Sequence, residues 1–425
     1  MLKIVENDTE EKKAGLGLTL DELAREGARR MLLVALEAEV ESYIEAHRGE
    51  RDGRGRALVV RNGKAQARKV TLGCGTVEVQ APRVNDKRVD AEGNRQRFTS
   101  KILPPYMRRS PKVAEVLPVL YLRGLSTGDF SEALPVLLGK DAAGLSATNI
   151  TRMTAAWDKE HKQFCHRSLK DKDYVYIWVD GVHVNIRLGD DRLCMLVVLG
   201  VRPDGTKELV AIDDGYRESK ESWLTLLRDL KRRGMQAPML AIGDGALGFW
   251  GAVREVWPET RRQRCWFHRL GNVLDKLPKR LQAKAKRALH EIMNAENKAA
   301  AEEAIERFEQ DYGARYPKAV AALTRDRDML LTFFDFPAEH WRHIRTTNAI
   351  ESPFATVKLR TRVTKGAGSR AKGLLMGFKL LTMAQRRWRR ITGAKYLPLV
   401  RAGVRFVDGV QIERDETNTE EENAA

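Results

Sequence analysis

Three carboxylates in this chain stand where they could do chemistry. Asp180 lies in "WVDG", where a hydrophobic, strand-like stretch meets a glycine. Asp244 lies in "AIGDG", the same arrangement 64 residues later. Glu351 lies in "RTTNAIESPFATVKLR" (345–360) and is the only acid between His340 and Val407, a window that holds sixteen Lys and Arg. Carboxylates on adjacent strands of one sheet can converge on divalent cations. Two metals roughly 3.5–4 Å apart clamp the attacking and leaving oxygens of an in-line phosphoryl displacement. Mg²⁺ suits such a site, because it takes oxygen ligands and keeps waters for substrate phosphates. A phosphodiester substrate needs cations to hold its backbone, and carboxylates only where a metal must sit.

Each acid also has a structural reading. Asp-Gly tolerates the positive φ of a type I′ turn. That reading is strong for "VDGVHV", where alternation resumes directly, and weaker for "GDGALGF", where a helix follows. Glu351 stands three residues after Asn348 and could close a capping box. The trio favours chemistry: two strand-end Asp and a helix Glu in a basic field. Cys265 and His268, in "RCWFH", suggest zinc, but a structural zinc site needs about four ligands. No second Cys or His pair stands near, so packing or hydrogen bonding beside the second Asp is expected. His183 falls on the face of its strand opposite Asp180, which makes it structural. Trp223 and Trp250 are core candidates, with base stacking the alternative.

Net charge is +17, and the 340–407 window supplies +15 of it. Such concentration is the electrostatic footprint of a polyanion partner. A solvated cationic face or an RNA-binding tail is the alternative. Apolar residues interleave in "GLLMGFKLLTMA" and at Trp388, so the segment is folded and amphipathic. Within it Arg360, Arg362, Lys365, Arg386, Arg387, Arg389 and Arg390 are the candidate DNA contacts. No run of about 18 apolar residues is present to span a membrane. The opening "MLKIVENDTEEKK" lacks the apolar core of a secretory signal. Cys74, Cys165, Cys194 and Cys265 are scattered singly, which suits a reducing cytoplasm.

The elements that must position these residues follow from pattern. Thr19 and Glu22 have capping-box spacing before a helix over 19–47. Residues 49–66, rich in Arg and Gly, read as loop, and "RKVTLGCGTVEVQAPRV" as a hairpin. Residues 111–158 form three helices, the third capped by Ser146, which fits a helix-turn-helix module. Residues 172–268 run β-β-β-α-β-α-β, with "RQRCWFH" as the last strand. Short turns make the first three strands antiparallel, and helical crossovers make the later ones parallel. That order points to an α/β, ribonuclease-H-like mixed sheet. Residues 269–340 form an all-α insertion, and 341–407 complete the core with basic helices. Residues 1–110 and 111–160 make up the N-terminal region, and the acidic tail 408–425 reads as disordered.

"WVDGVHVNIR", "GVRPDGTKELVAI", "LKRRGMQAPMLAIGDGALGFWGAVREVWPET", "QRCWFHRLGNVLDKLP" and "RTTNAIES" resemble, in order and spacing, the Mutator-type transposases of bacterial insertion sequences. The likeness covers roughly residues 25–405. The resemblance implies a ribonuclease-H-like core with an Asp-Asp-Glu triad, matched by Asp180, Asp244 and Glu351, and a Cys-x-x-His motif, matched by Cys265 and His268. It implies two Mg²⁺ per active site, with Mn²⁺ able to substitute. The implied partners are double-stranded DNA, as terminal inverted repeats and target, and further copies of the chain in a dimer or larger oligomer. The implied location is the bacterial nucleoid. The family's "TTNAIES-N" is here "TTNAIESPF". Pro is tolerated only in a first helical turn, so the helix is expected to begin close to Glu351. A catalytically silent element-end binding protein and a nuclease without strand transfer remain the alternatives.

Overall fold

The computed structural model describes residues 19–123, 127–138, 147–186, 193–215, 219–245, 247–363, 366–367 and 369–412. The chain divides into two compact units, residues 1–153 and 154–425.

In the first unit, α1 (Leu20–Ala46) starts at a capping box: Thr19 Oγ1 accepts the Glu22 N–H, and the Glu22 carboxylate accepts the Thr19 N–H. The helix buries Leu36 against Val70, Val77, Val79 and Leu103. The hairpin pairs β2 (Arg68–Leu72) with β3 (Gly75–Val79). A second antiparallel pair joins β1 (Val59–Lys64) to β4 (Pro82–Asp86). The loop expected over 49–66 is thus corrected: its end is a strand. Val59 is buried, and a register shift between Arg61 and Lys64 accommodates Gly63, which has φ of 62°. Three helices follow: α2 (Pro111–Arg123), α3 (Thr127–Leu138) and α4 (Ala147–His166), the last of which has residues 154–166 in the second unit. Val113 and Leu117 of α2 and Leu134 of α3 form a small core, against which Met153 of α4 packs. The Ser146 cap lies outside the described residues.

The second unit is built on a five-stranded sheet. Its strands are β5 (Tyr176–Val184), β6 (Leu193–Val201), β7 (Lys207–Gly215), β8 (Leu240–Gly243) and β9 (Arg261–Arg264), in the order β7-β6-β5-β8-β9. β5, β6 and β7 are antiparallel neighbours, while β8 runs parallel to β5 and β9 parallel to β8. Side chains alternate between faces along a strand. One face carries Ile177, Val179, Leu196 and Val198 and packs on α5 (Lys220–Arg232) and α6 (Leu247–Val256), through Trp223, Phe249 and Trp250. Trp223 and Trp250 flank Phe249 at centroid distances of 5.0 and 4.9 Å. Both are buried, so they are core and have no face for a base.

Between β9 and the last helices lie α7 (Trp266–Leu274), α8 (Lys279–Met293), α9 (Lys298–Tyr312), α10 (Pro317–Thr324), α11 (Arg327–Leu331) and α12 (Ala338–Ile344). Then α13 (Asn348–Val363) and α14 (Arg370–Gln385) cover the second face of the sheet, and α15 (Leu397–Arg401) follows. Gly377 allows the close approach of α14: a Cβ there would lie 2.6 Å from Met195 Sδ on β6.

Several expectations need correction. The strand expected over "RQRCWFH" ends at Arg264; Cys265 is the N-cap of α7, so His268 rides a helix. Helix α13 begins at Asn348, three residues before Glu351, and keeps Pro353 inside it. Residues 408–412 are not tail. β10 (Phe406–Val407) and β11 (Val410–Gln411) pair through Asp408 and Gly409, at φ of 48° and 82°, as a type I′ turn requires. The rest of the tail lies outside the described residues.

Candidate active site

Asp180 is not at a strand end. It sits inside β5 opposite Val197, so the Asp-Gly turn reading fails here. The parallel pairing of β5 with β8 runs from Tyr176↔Leu240 to Trp178↔Ile242. Carried two residues further, the same register sets Asp180 level with Asp244, which follows the last residue of β8. Tyr176, Trp178 and Asp180 share one face of β5. That face looks at the chain leading to Glu351. The Tyr176 hydroxyl meets His340 Nδ1 at 2.8 Å, and Trp178 Nε1 donates to the His343 carbonyl at 3.0 Å. Asp180 is the next step along this ladder, and α13 packs against β5.

Asp244 is held by its surroundings. Trp250 Nε1 donates to its carbonyl at 2.9 Å, and the Gly245 N–H donates to its Oδ1. A Cβ on Gly245 would lie 2.8 Å from Arg264 Nη2, so the glycine permits the close approach of that guanidinium. Arg264 also pairs with Asp326 at 3.4 Å, and burial holds its pKa below the usual range.

The structure brings the Cys-x-x-His motif into the same place. His268 Nδ1 lies 3.8 Å from Asp244 Oδ1 and 3.7 Å from Glu351 Oε1, so the imidazole bridges the two acids. Its pKa is raised to about 9, first by the hydrogen bond with Cys265 and then by the charges of Cys265, Asp244 and Glu351, against the effect of burial. The donor atoms of Cys265, His268 and Glu351 lie within 4.8 Å of one another.

Glu351 stands in the first turns of α13, where a carboxylate favours the helix dipole. It does not form the capping box with Asn348 that was its alternative reading. Its N–H bonds the Thr347 carbonyl at 3.0 Å, and its Oε1 accepts from the Thr347 hydroxyl. Sequence reasoning missed Thr347. Its signal was present, a Thr immediately before a helix, but Asn348 stood in front of it as the more obvious cap.

The donor set divides by chemistry. Asp180, Asp244 and Glu351 offer the oxygens that a hard cation such as Mg²⁺ takes. Cys265 and His268 offer the softer atoms that zinc prefers, but the Thr347 hydroxyl stands among them, 3.1 Å from Cys265 Sγ and 3.5 Å from His268 Nδ1.

The candidate DNA contacts separate. Arg386, Arg387, Arg389 and Arg390, just past α14, are exposed, as is Arg362. Lys365 lies outside the described residues. Arg360 is corrected: only 3% of it is exposed, because it continues the buried stripe of Ile350, Phe354 and Val357 along α13. Other cations of the window serve the fold. Arg370 pairs with Asp214, Lys379 with Glu160 and Arg401 with Asp173. His183 is exposed on its strand. Among the described residues no helix is long and apolar enough to cross a membrane.

Known proteins match this chain over most of its length. The family model for transposases of the Mutator family matches residues 2–368. The transposase for insertion sequence element IS6120 of Mycolicibacterium smegmatis is 60% identical over 71% of this chain and 93% of its own length. The transposase for insertion sequence element IST2 of Acidithiobacillus ferrooxidans is 51% identical over 66% of this chain and 95% of its own. The transposase for insertion sequence element IS905 of Lactococcus lactis is 29% identical over 71% of this chain and 74% of its own.

Proposed function

The chain belongs to the Mutator family of transposases, and from that premise we propose that it cuts the ends of its own insertion sequence and joins them to target DNA through an Asp-Asp-Glu site on a ribonuclease-H-like sheet. One observation carries the reading. His268 bridges Asp244 to Glu351 at 3.8 and 3.7 Å, and the register of β5 with β8, carried two residues past its last pair, points Asp180 toward Asp244. Asp244 and Glu351, 107 positions apart in sequence, thereby meet at one imidazole.

Asp180, Asp244 and Glu351 would hold two Mg²⁺, with Mn²⁺ able to replace them. When bound, such ions polarise a phosphoryl oxygen and lower the pKa of a bound water or hydroxyl. The residues supply the rest. The rigid strand β5 and the anchored Asp244 loop fix two carboxylates. Helix α13 brings the third from the far side of the all-α insertion. Arg362, Arg386, Arg387, Arg389 and Arg390 hold the phosphate backbone, which positions DNA without reading its sequence. The helical segment 111–158 ahead of the sheet would read the terminal repeats, one helix entering the major groove. Joining two ends calls for at least two copies of the chain.

The test incubates the protein with labelled element ends, a target plasmid and Mg²⁺. Joined product supports the reading. Cut ends without joining would make the protein a nuclease, and a bound complex alone a silent end-binding protein.

A further inference from the structure

Thr347 lies at the meeting point of two helix starts. It precedes Asn348, the first residue of α13, and it touches Cys265, the N-cap of α7. It is fully buried, and Cys265 is 2% exposed. A threonine in this position ordinarily turns its hydroxyl back onto the N–H groups of its own helix. Here the hydroxyl turns away. Oγ1 donates to Glu351 Oε1 and lies 3.1 Å from Cys265 Sγ and 3.5 Å from His268 Nδ1. The Thr347 N–H also reaches Cys265 Sγ, at 3.3 Å. The sulfur is fixed in turn, because the Cys265 N–H donates to the Gly243 carbonyl at 2.9 Å, on the strand that leads into Asp244.

A hydroxyl carries one proton and two lone pairs. That proton is shared between Glu351 Oε1 and Cys265 Sγ, both of which accept from it, and the lone pairs of Oγ1 stay open to His268 Nδ1. The contacts of Glu351 with both Thr347 and His268 use Oε1. The other oxygen, Oε2, is thereby left for a metal.

We propose that Thr347 is a positioning residue, which ties the Glu351 carboxylate through its hydroxyl to the buried Cys265 and so fixes which oxygen Glu351 presents to the metal. The inference rests on the reading of Glu351 as a metal ligand. It also gives Cys265 a part: the anchor that couples Glu351 to the strand carrying Asp244. Glu351 sits on a helix that arrives after a long insertion, and a carboxylate so delivered needs a tie to the sheet. Hydrogen-bonded partners of metal ligands commonly govern affinity, and their loss costs about 10- to 100-fold.

The test uses the full chain, freed of metal and titrated with Mn²⁺, with free Mn²⁺ read by electron paramagnetic resonance. Thr347→Val keeps the shape and removes the hydroxyl. Thr347→Ser keeps the hydroxyl and removes the methyl. Thermal melting shows that each variant is folded. The expected result is Mn²⁺ binding weakened about 10-fold or more in Thr347→Val and restored to within about threefold of wild type in Thr347→Ser. Wild-type binding in Thr347→Val would overturn the inference and leave the ligand reading intact. Equal loss in Ser and Val would also overturn it, because the methyl and not the hydroxyl would then be what matters. Wild-type binding in Glu351→Gln would overturn the ligand reading, and the inference with it.

Discussion

Replacing Glu351 with Gln separates a structural from a chemical role for this acid. The structural loss is small. Gln keeps an Oε1 that can accept from Thr347, so the hydrogen bond of the helix start survives. What disappears is the attraction to His268 at 3.7 Å, between side chains 27% and 31% exposed. Partly solvated ion pairs of this kind contribute about 0–1 kcal/mol. In a unit of this size about 1 kcal/mol moves the melting temperature by roughly 2–4 °C. The chemical loss is large. A neutral amide is a poor ligand for Mg²⁺, and a metal's charge stabilisation in phosphoryl transfer amounts to several kcal/mol. Since ~1.4 kcal/mol is tenfold in rate, about 4 kcal/mol removes a factor near a thousand. The variant should therefore melt within a few degrees of wild type, bind element ends normally and cut them at roughly a thousandth of the rate or less. Asp180→Asn and Asp244→Asn should do the same. Melting curves, end-binding titrations and single-turnover cleavage of a labelled end measure all three quantities. Near-wild-type cleavage by Glu351→Gln would refute the reasoning and leave Glu351 a structural acid at the start of α13.

Changing Arg386, Arg387, Arg389 and Arg390 together to Gln should flatten the salt dependence of DNA binding, each lost phosphate contact lowering the slope by ~0.9; an unchanged slope would mean that these exposed charges do not touch DNA. Purified protein should hold no stoichiometric zinc, because the Thr347 hydroxyl stands among the Cys265, His268 and Glu351 donors; one tightly held zinc per chain in metal analysis would contradict this. His343 should make the fold acid-sensitive. Its pKa is lowered to about 4, by burial first and then by Lys207, Arg342 and His340, while Nε2 accepts the Thr392 N–H at 3.1 Å. Between about pH 6.5 and 4 the unfolded chain takes a proton that the folded one refuses, so stability falls as pH falls through that window. The urea-midpoint gap between wild type and His343→Asn should narrow from pH 7 to 4.5, and a constant gap would refute the assignment.

The sheet was legible because its strands obey simple rules. "CMLVVLGVR" is a buried run, "ESWLTLLRDLKRRG" is amphipathic, and the turns between strands are short. Asp-Gly pairs were harder to read. The pair at 180–181 lies inside a strand, while the pair at 408–409 makes a true type I′ turn that was assigned to the tail. Local sequence does not separate them, since β5 gains two partner strands that hold it extended through the glycine. Arg360 was misplaced because a count of charges ignores helical phase: it stands three residues after Val357, on the buried face of α13. The Cys-x-x-His motif was expected beside the second Asp. Its bridging position depended on where the insertion returns α13, which no local pattern records. Thr347 carried a local signal as a threonine before a helix, but its tie to Cys265 and His268, about 80 residues upstream, is not legible from any local pattern.

If Asp180, Asp244 and Glu351 hold the two metals together, as proposed, iron-directed cleavage of the protein backbone will show it. Fe²⁺ replaces Mg²⁺ in the full-length protein, ascorbate and peroxide are added, and the chain is cut where the iron sits. Three sets of cuts are expected, around residues 180, 244 and 351, all suppressed by excess Mg²⁺ and all lost together in Asp180→Asn. Cuts confined to one of these segments, or cuts elsewhere that Mg²⁺ does not suppress, would contradict the proposal.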